Sequence, residues 1–267
     1  MAKITDEDRE KFAARIEPYK EVITEMLAKE KAALRLREKN TSGKGYQNLL
    51  LCEDMIYIAT LYVAINAFFV DFFGVNNTSA LNEGRKSLYR AVIYLEEVVT
   101  NTIDAPFSDY ADKLAEISNT PISRRYFIIR KLGLALKMVI DSYGSNTKWK
   151  WAFAELTGRF AVVAKNIIDL KTASKVYYDP NERDYDTTVL FLRRVKSLLG
   201  QCADKYRDRY EFSTHRGDDM RMGINLLLAL RRICILMSDA EESEEIKKKA
   251  MVWKAKMEAD QKKSESV

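Results

Sequence analysis

Residues that interrupt helices are scarce in this sequence. Only 4 prolines and 10 glycines occur among 267 residues. With 47% hydrophobic and 31% charged residues, the chain can bury a substantial core, so disorder of the whole chain is not expected. Alanine, leucine, lysine, arginine and glutamate are common instead, and these side chains lose little rotamer freedom in a helix. The composition therefore favours long helices.

Cysteine and histidine are scarce as well. The three cysteines, Cys52, Cys202 and Cys234, form no Cys-x-x-Cys pair, and the single histidine is His215. Thiols this few and this widely spaced disfavour a disulfide framework, and a structural zinc site needs more ligands than these. We therefore expect reduced, buried thiols and no bound metal.

Motifs that bind cofactors or mark a catalytic set are missing. Gly43-Lys44-Gly45 lacks the spacing of a phosphate-binding P-loop. The Glu-x-x-His motif of di-iron helical bundles does not occur. We therefore predict no cofactor and no catalytic residues. The first residues contain no apolar signal core, so we expect a cytoplasmic protein.

Apolar residues recur at helical spacing in one segment after another. The clearest series steps by four and three: Trp149, Phe153, Leu156, Phe160, Val163, Ile167 and Leu170. We predict an all-α protein, a single multi-helix bundle of about eight or nine helices, because no run alternates as a strand does. A core over residues 46–238 is flanked by polar helical arms at 1–45 and 239–267. A solenoid-like stack of helix pairs is the alternative, because Leu190–Val195 resembles Leu228–Ile233.

Several helix starts carry capping signals. Thr5, followed by three acidic residues, predicts the start of the first helix. Asp179, followed by Pro180, predicts another start, and Ser238 with Glu241 fits a capping box. Pro18 lies inside the first helical segment and predicts a bend or a break there.

The segment from Tyr46 to Phe73 is the most apolar part of the chain. Met55–Val70 runs for 16 residues without a charge. A membrane-spanning helix needs about 20 such residues, so we predict no membrane span and a central helix that is buried on all sides. Contact between this segment and a membrane is the alternative.

Basic residues concentrate between Arg193 and Arg232, where 10 basic residues stand against 5 acidic ones. Arginine neutralises phosphates, and tyrosines between arginines can stack on bases. The stretch therefore predicts a candidate surface for RNA, DNA or another anion. Its residues are Arg193, Arg194, Lys205, Tyr206, Arg207, Arg209, Tyr210, His215 and Arg216. A solvated helix face with local ion pairs is the alternative.

Arg209 and His215 are separated by five residues. This spacing resembles the ribonuclease motif of the HEPN family, whose fold is also helical. The resemblance covers seven residues, and Tyr210 stands where that family usually has a small polar residue. It implies that His215 would move the proton of a 2′-hydroxyl and that Arg209 would stabilise the charged phosphorane.

The remaining features suggest contacts with proteins. Trp151 lies two residues from the clearest apolar series, and Trp253 lies on a highly charged last helix, so both are candidate interface residues. Long polar helices at both ends of a chain often dock on a partner or on a second copy. Our first hypothesis is a non-enzymatic helical scaffold or adaptor that acts through protein–protein contacts and self-association. A helical nucleic-acid-binding protein is the second hypothesis, and a HEPN-like ribonuclease is the third.

Overall fold

Ten α-helices and no β-strand are found in residues 5–38 and 43–265, the part of the chain that the computed structural model describes. The helices are α1 (Asp6–Arg37), α2 (Lys44–Phe73), α3 (Thr78–Val98), α4 (Ala111–Glu116), α5 (Ile122–Tyr143), α6 (Lys150–Asn166), α7 (Leu170–Tyr177), α8 (Tyr185–Arg209), α9 (Gly217–Leu236) and α10 (Ala240–Glu265). The predicted all-α class is confirmed. The count exceeds the prediction because α4 and α7 have only 6 and 8 residues, too few to show a helical period.

The capping signal at Thr5 is confirmed. The amide of Asp8 donates to Thr5 Oγ1 over 3.2 Å, and the amide of Thr5 donates to Asp8 Oδ2 over 3.0 Å. Of the bend or break predicted at Pro18, the break is wrong, since α1 continues through Pro18 as one helix of 32 residues. After Gly43, the helix α2 begins at Lys44, so Lys44 and Gly45 of the Gly43-Lys44-Gly45 stretch are helical.

Two other start signals mark turns instead of helix starts. Asp179 Oδ1 accepts from the amide of Asn181 over 3.0 Å, which closes a local turn, and α8 begins later, at Tyr185. Ser238 has a φ of 54°, in the left-handed region, so its side chain does not cap α10. The amide of Glu242 donates to Asp239 Oδ1 over 3.4 Å, which places the cap one residue later than predicted.

The chain divides into two compact units. Unit 1 comprises Met1–Val98 and Ile128–Lys150, and unit 2 comprises Val99–Phe127 and Trp151–Val267. The predicted N-terminal arm falls within unit 1, and the predicted C-terminal arm falls within unit 2.

The core of unit 1 forms where α2 packs against α3. Gly84 of α3 allows this close approach, because a Cβ there would lie 3.3 Å from Tyr62 Cβ and 3.5 Å from the carbonyl oxygen of Ala59. The helix α1 joins this pair through Ile16 and Ile23, which are buried. Its N-terminal half packs Phe12 edge-on against Phe69, with ring centroids 5.3 Å apart.

The helix α2 is not buried on all sides, which corrects the prediction made for it. Leu49, Cys52, Met55 and Ile56 are buried, whereas Leu50 and Tyr57 are exposed. By length and composition α2 could cross a membrane, but core helices of soluble proteins pass the same test, and a third of its most apolar 18-residue stretch is buried.

The core of unit 2 forms where α8, α9 and α10 pack together. Gly158 of α6 also faces α8, since a Cβ there would lie 2.7 Å from Tyr206 Cε2. Gly223 of α9 similarly makes room for Trp253 of α10, whose Cζ3 would lie 3.2 Å from an added Cβ. The prediction of buried cysteines is confirmed, because Cys52, Cys202 and Cys234 are all buried and unpaired.

Candidate functional site

Most cations between Arg193 and Arg232 are neutralised within unit 2. Seven of the ten pair with carboxylates, several of them on α9 and α10. The pairs are Lys196 with Asp239 (2.6 Å) and Glu242, Arg207 with Glu211 (2.9 Å), Arg209 with Asp219 (3.5 Å), Arg216 with Asp218 (3.6 Å), Arg221 with Asp218 (3.0 Å), Arg231 with Glu244 (3.4 Å) and Arg232 with Asp104 (2.7 Å). Most of the positive charge of this stretch is therefore neutralised locally by neighbouring carboxylates.

Three of the ten cations are exposed and lack a carboxylate partner among the described residues: Arg193, Arg194 and Lys205. Arg194 and Lys205 are 11 residues apart on α8. At 1.5 Å per residue their backbones are separated by about 16 Å along the helix axis. The fold therefore does not gather these three side chains into one dense patch.

The two tyrosines of the predicted anion surface point inward. Tyr206 packs against Gly158, and burial raises its pKa to about 12. Tyr210 donates its hydroxyl to Asp260 Oδ2 over 2.8 Å, and burial together with this bond raises its pKa to about 12. Neither ring has a face available for stacking on a base.

Arg209 and His215 have different surroundings within unit 2. Arg209 Nε lies 3.5 Å from Asp219 Oδ2, which also accepts from Thr214 Oγ1 over 2.5 Å. His215 is exposed, with a φ of 51°, directly after a π-helical turn over Tyr210–Thr214. The histidine therefore faces solvent while the arginine is held by α9.

A cavity of about 610 Å³ lies beside His215, at the start of α9 and the end of α10. Tyr210, Glu211, Lys256 and Asp260 also line it. Glu211 Oε1 lies 2.7 Å from Lys256 Nζ and also accepts from Arg207 Nε over 2.9 Å. Within this lining, Glu211 is therefore paired with two cations, and Asp260 accepts the hydroxyl of Tyr210 over 2.8 Å.

The two candidate interface tryptophans have different environments. Trp253 is buried in unit 2, where Lys249 Nζ and the Arg207 guanidinium lie 5.0 and 5.7 Å from the centre of its ring. It attaches α10 to unit 2 and is not exposed to a partner, which corrects the prediction made for it. Trp151 is half-buried near the start of α6.

An apolar surface that the motifs did not indicate lies on α2 and α5 in unit 1. Lys131 Nζ of α5 lies 3.1 Å from Glu53 Oε1 of α2. Farther along both helices, Asn76 accepts from Asn66 Nδ2 (3.2 Å) and donates to the carbonyl oxygen of Ser142 (3.0 Å). The helices therefore run in the same direction.

Four exposed apolar side chains flank the ion pair between Glu53 and Lys131. Leu50 and Tyr57 lie one turn before and after Glu53, and Leu134 and Met138 lie one and two turns after Lys131. Their exposed fractions are 62% for Leu50, 50% for Tyr57, 54% for Leu134 and 43% for Met138. We call these four residues the α2/α5 face.

The outer edge of the α2/α5 face is basic. Arg130 and Lys137 are exposed on α5, on either side of Leu134. Lys137 Nζ lies 2.6 Å from Asp141 Oδ2, whereas Arg130 has no carboxylate partner among the described residues. Arg130 is therefore the exposed cation beside this apolar strip that has no carboxylate partner among the described residues.

Comparison with known proteins identifies the family. Residues 8–261 match the TP0443 family, a match that extends from α1 to α10. The chain belongs to the TP0443 family. No match was found among curated proteins or among solved structures.

The sequence of this TP0443-family chain contained one signal for the α2/α5 face. The apolar residues of α2 surround the whole helix, which is more than a single buried face requires. Leu50 and Tyr57 are apolar residues of α2 that lie outside its buried face. Periodicity does not reveal that Leu134 and Met138 lie on a neighbouring helix, because the ion pair that links α5 to α2 joins residues 78 positions apart in the chain.

Proposed function

We propose that this protein is a non-enzymatic helical adaptor that binds an amphipathic helix of another protein on the α2/α5 face. The observation that carries the proposal is the set of four exposed apolar side chains on two adjacent, parallel helices. Scattered exposed apolar residues are ordinary in monomers, but several on two neighbouring helices, beside charged residues, are typical of interaction sites.

The geometry supports a helix as the occupant. Two parallel helices form a shallow groove along their seam, and an amphipathic helix buries residues spaced by three and four in such a groove. Carboxylates along one border of that helix would meet Arg130, which has no carboxylate partner among the described residues. These edge contacts would contribute more to association rate and orientation than to affinity.

The first experiment compares two leucines of equal exposure. Leu134→Asp changes the α2/α5 face, and Leu190→Asp makes the same change on α8, where Leu190 is 53% exposed against 54% for Leu134. The probe is a fluorescent Leu/Glu amphipathic helical peptide, with a scrambled peptide as control. We expect saturable anisotropy for the unchanged protein and for Leu190→Asp, and at least about a tenfold loss of affinity for Leu134→Asp, since a central apolar contact is replaced by a charge.

A second arm identifies the natural partner. A photo-cross-linking amino acid at position 134, and separately at 190, is used in cells, followed by mass spectrometry. A species captured only at position 134, and no longer captured in the Tyr57→Asp variant, supports the proposal. Equal capture at both positions, or equal peptide binding by both aspartate variants, contradicts it.

A further inference from the structure

The outward face of α10 carries a regular stripe of exposed residues. Its members step by four and three residues, which places them on one side of the helix. They are Glu244, Lys248, Met251, Ala255, Glu258 and Lys262, and all six are exposed. Met251 is 63% exposed at the middle of the stripe, and the neighbouring Val252 is 67% exposed. We call these six residues the outer stripe.

The other side of α10 has a second stripe with the same spacing, and that one is buried. Its residues are Ser243, Ile246, Ala250, Trp253 and Met257. They attach α10 to α8 and α9. The buried stripe is covered by helices of the same chain. The outer stripe is exposed, so it is available to pack against another helix.

The outer stripe is complementary to itself when it is read backwards. In an antiparallel pair of α10 helices centred at position 253, Glu244 faces Lys262 of the second copy, and Lys248 faces its Glu258. Met251 then faces Ala255 of the second copy, so that a long side chain meets a small one. Two-fold symmetry repeats every contact, giving four opposite-charge contacts and two apolar ones.

The ion pairs that Glu244 and Glu258 form within the chain leave both carboxylates able to contact lysines of a second copy. Glu244 lies 3.4 Å from Arg231 and 3.3 Å from Lys247, and Glu258 lies 3.9 Å from Lys254. These are exposed pairs, and a carboxylate can accept several hydrogen bonds at once. Neither acid has to break a buried contact to reach the second copy.

We propose that the chain forms an antiparallel homodimer through the outer stripe of α10, with a second copy of itself as the occupant. The charge complementarity of the stripe selects that occupant. When the order Glu, Lys, Met, Ala, Glu, Lys is paired with its own reverse, each glutamate lies opposite a lysine. The contact involves one helix from each copy, so the dimer is weak and sensitive to salt. The outer stripe belongs to unit 2 and the α2/α5 face to unit 1, so the dimer does not depend on the proposed adaptor function.

The test is a charge swap on the full chain, followed by sedimentation equilibrium. The monomer has a mass of 30.8 kDa, so a dimer would have about twice that mass. We expect dimers at protein concentrations up to about 0.5 mM in about 0.05 M salt, and fewer at about 0.5 M salt, because salt screens exposed ion pairs. Lys248→Glu creates two like-charge contacts and is expected to weaken dimerisation at least about tenfold.

The compensating variant makes the test specific. Lys248→Glu combined with Glu258→Lys restores both opposite-charge contacts and should restore the dimer. Lys205→Glu makes the same charge change on α8 and should leave the dimer unchanged. A chain that is monomeric at every concentration, or a Lys248→Glu dimer that needs no compensation, overturns the proposal. Circular dichroism of each variant confirms that the helices remain folded.

Discussion

Lys165 is the most unusual single residue in the described part of the chain, because it is a lysine with only 2% of its surface exposed. Its Nζ lies 5.9 Å from the centre of the Tyr110 ring. Burial lowers the pKa of Lys165 to about 8, and the charge of nearby Asp104 only partly offsets that effect. Asp104 is itself paired with Arg232 at 2.7 Å. The ammonium group of Lys165 is therefore buried without full compensation by the surrounding protein.

Lys165 should make stability depend on pH in a definite direction. The ordinary lysine pKa is 10.5 and the folded value is about 8, so between these values the unfolded chain binds more protons than the folded chain. Stability should then rise with pH in this window, because the cost of the buried charge is present below about pH 8 and relieved above it. Lys165→Met should remove this contribution, as urea unfolding at several pH values would measure.

The comparison between wild type and Lys165→Met is best made from about pH 7 to about pH 9. Burial raises the pKa of Cys202 and Cys234 to about 11, and thiols with raised pKa lower stability once the unfolded chain deprotonates, near pH 9. Both proteins share that effect, so it cancels in the difference. Unfolding free energies that change in parallel for the two proteins would contradict the assignment.

At the scale of the element, α1 is joined to unit 1 by polar contacts. Glu30 is fully buried, pairs with Arg90 and accepts from the hydroxyl of Tyr94, both on α3. Near the end of α1, Arg37 Nη1 lies 3.1 Å from Glu97 Oε2 and 2.7 Å from Asn48 Oδ1. A helix that looks like a polar arm in the sequence is therefore a structural part of the unit.

Removing the buried carboxylate should weaken this attachment. Glu30→Ala leaves the hydroxyl of Tyr94 and the guanidinium of Arg90 without their acceptor, and we expect a loss of about 2–3 kcal/mol in the free energy of unfolding. Glu25→Ala removes an exposed acid that pairs with Lys29 at 2.7 Å, and it should lower the free energy of unfolding far less than Glu30→Ala does. Chemical denaturation followed by circular dichroism measures both. Equal losses would show that Glu30 does not hold α1 in place.

At the scale of the whole molecule, a net charge of +5 does not predict a basic surface. The ion pairs of unit 2 use Arg207 and Arg209 and leave Arg193, Arg194 and Lys205 without a carboxylate partner among the described residues. If RNA or DNA binds, neutralising these last three to glutamine should reduce binding. The Arg207→Gln, Arg209→Gln double variant should change it little.

Fluorescence anisotropy with RNA and DNA at low and moderate salt distinguishes these variants. A variant that binds fewer phosphates should show a weaker dependence of affinity on salt concentration. Binding that depends mainly on Arg207 and Arg209 would favour the nucleic-acid hypothesis based on the sequence. Cleavage of RNA that His215→Ala abolishes would favour the ribonuclease.

The class of the fold was predictable from residues close together in the chain. The spacing of apolar residues, the shortage of glycine and proline and the cap at Thr5 act over one or two helical turns, so local sequence carries them. The same local rules misplaced the starts at Asp179 and Ser238, because a cap residue is equally suited to a turn.

Which surfaces are available depended on contacts between residues far apart in the chain. The pairing of Arg209 with Asp219, the packing of Trp253 against Gly223 and the ion pair between Glu53 and Lys131 all require two helices to be brought together. Periodicity shows that a helix has an apolar side, but not which neighbour covers it. The sequence by itself thus determined the helix content. The unpaired cations and the exposed α2/α5 face resulted from packing, because packing decides which charges are neutralised and which apolar residues stay in water.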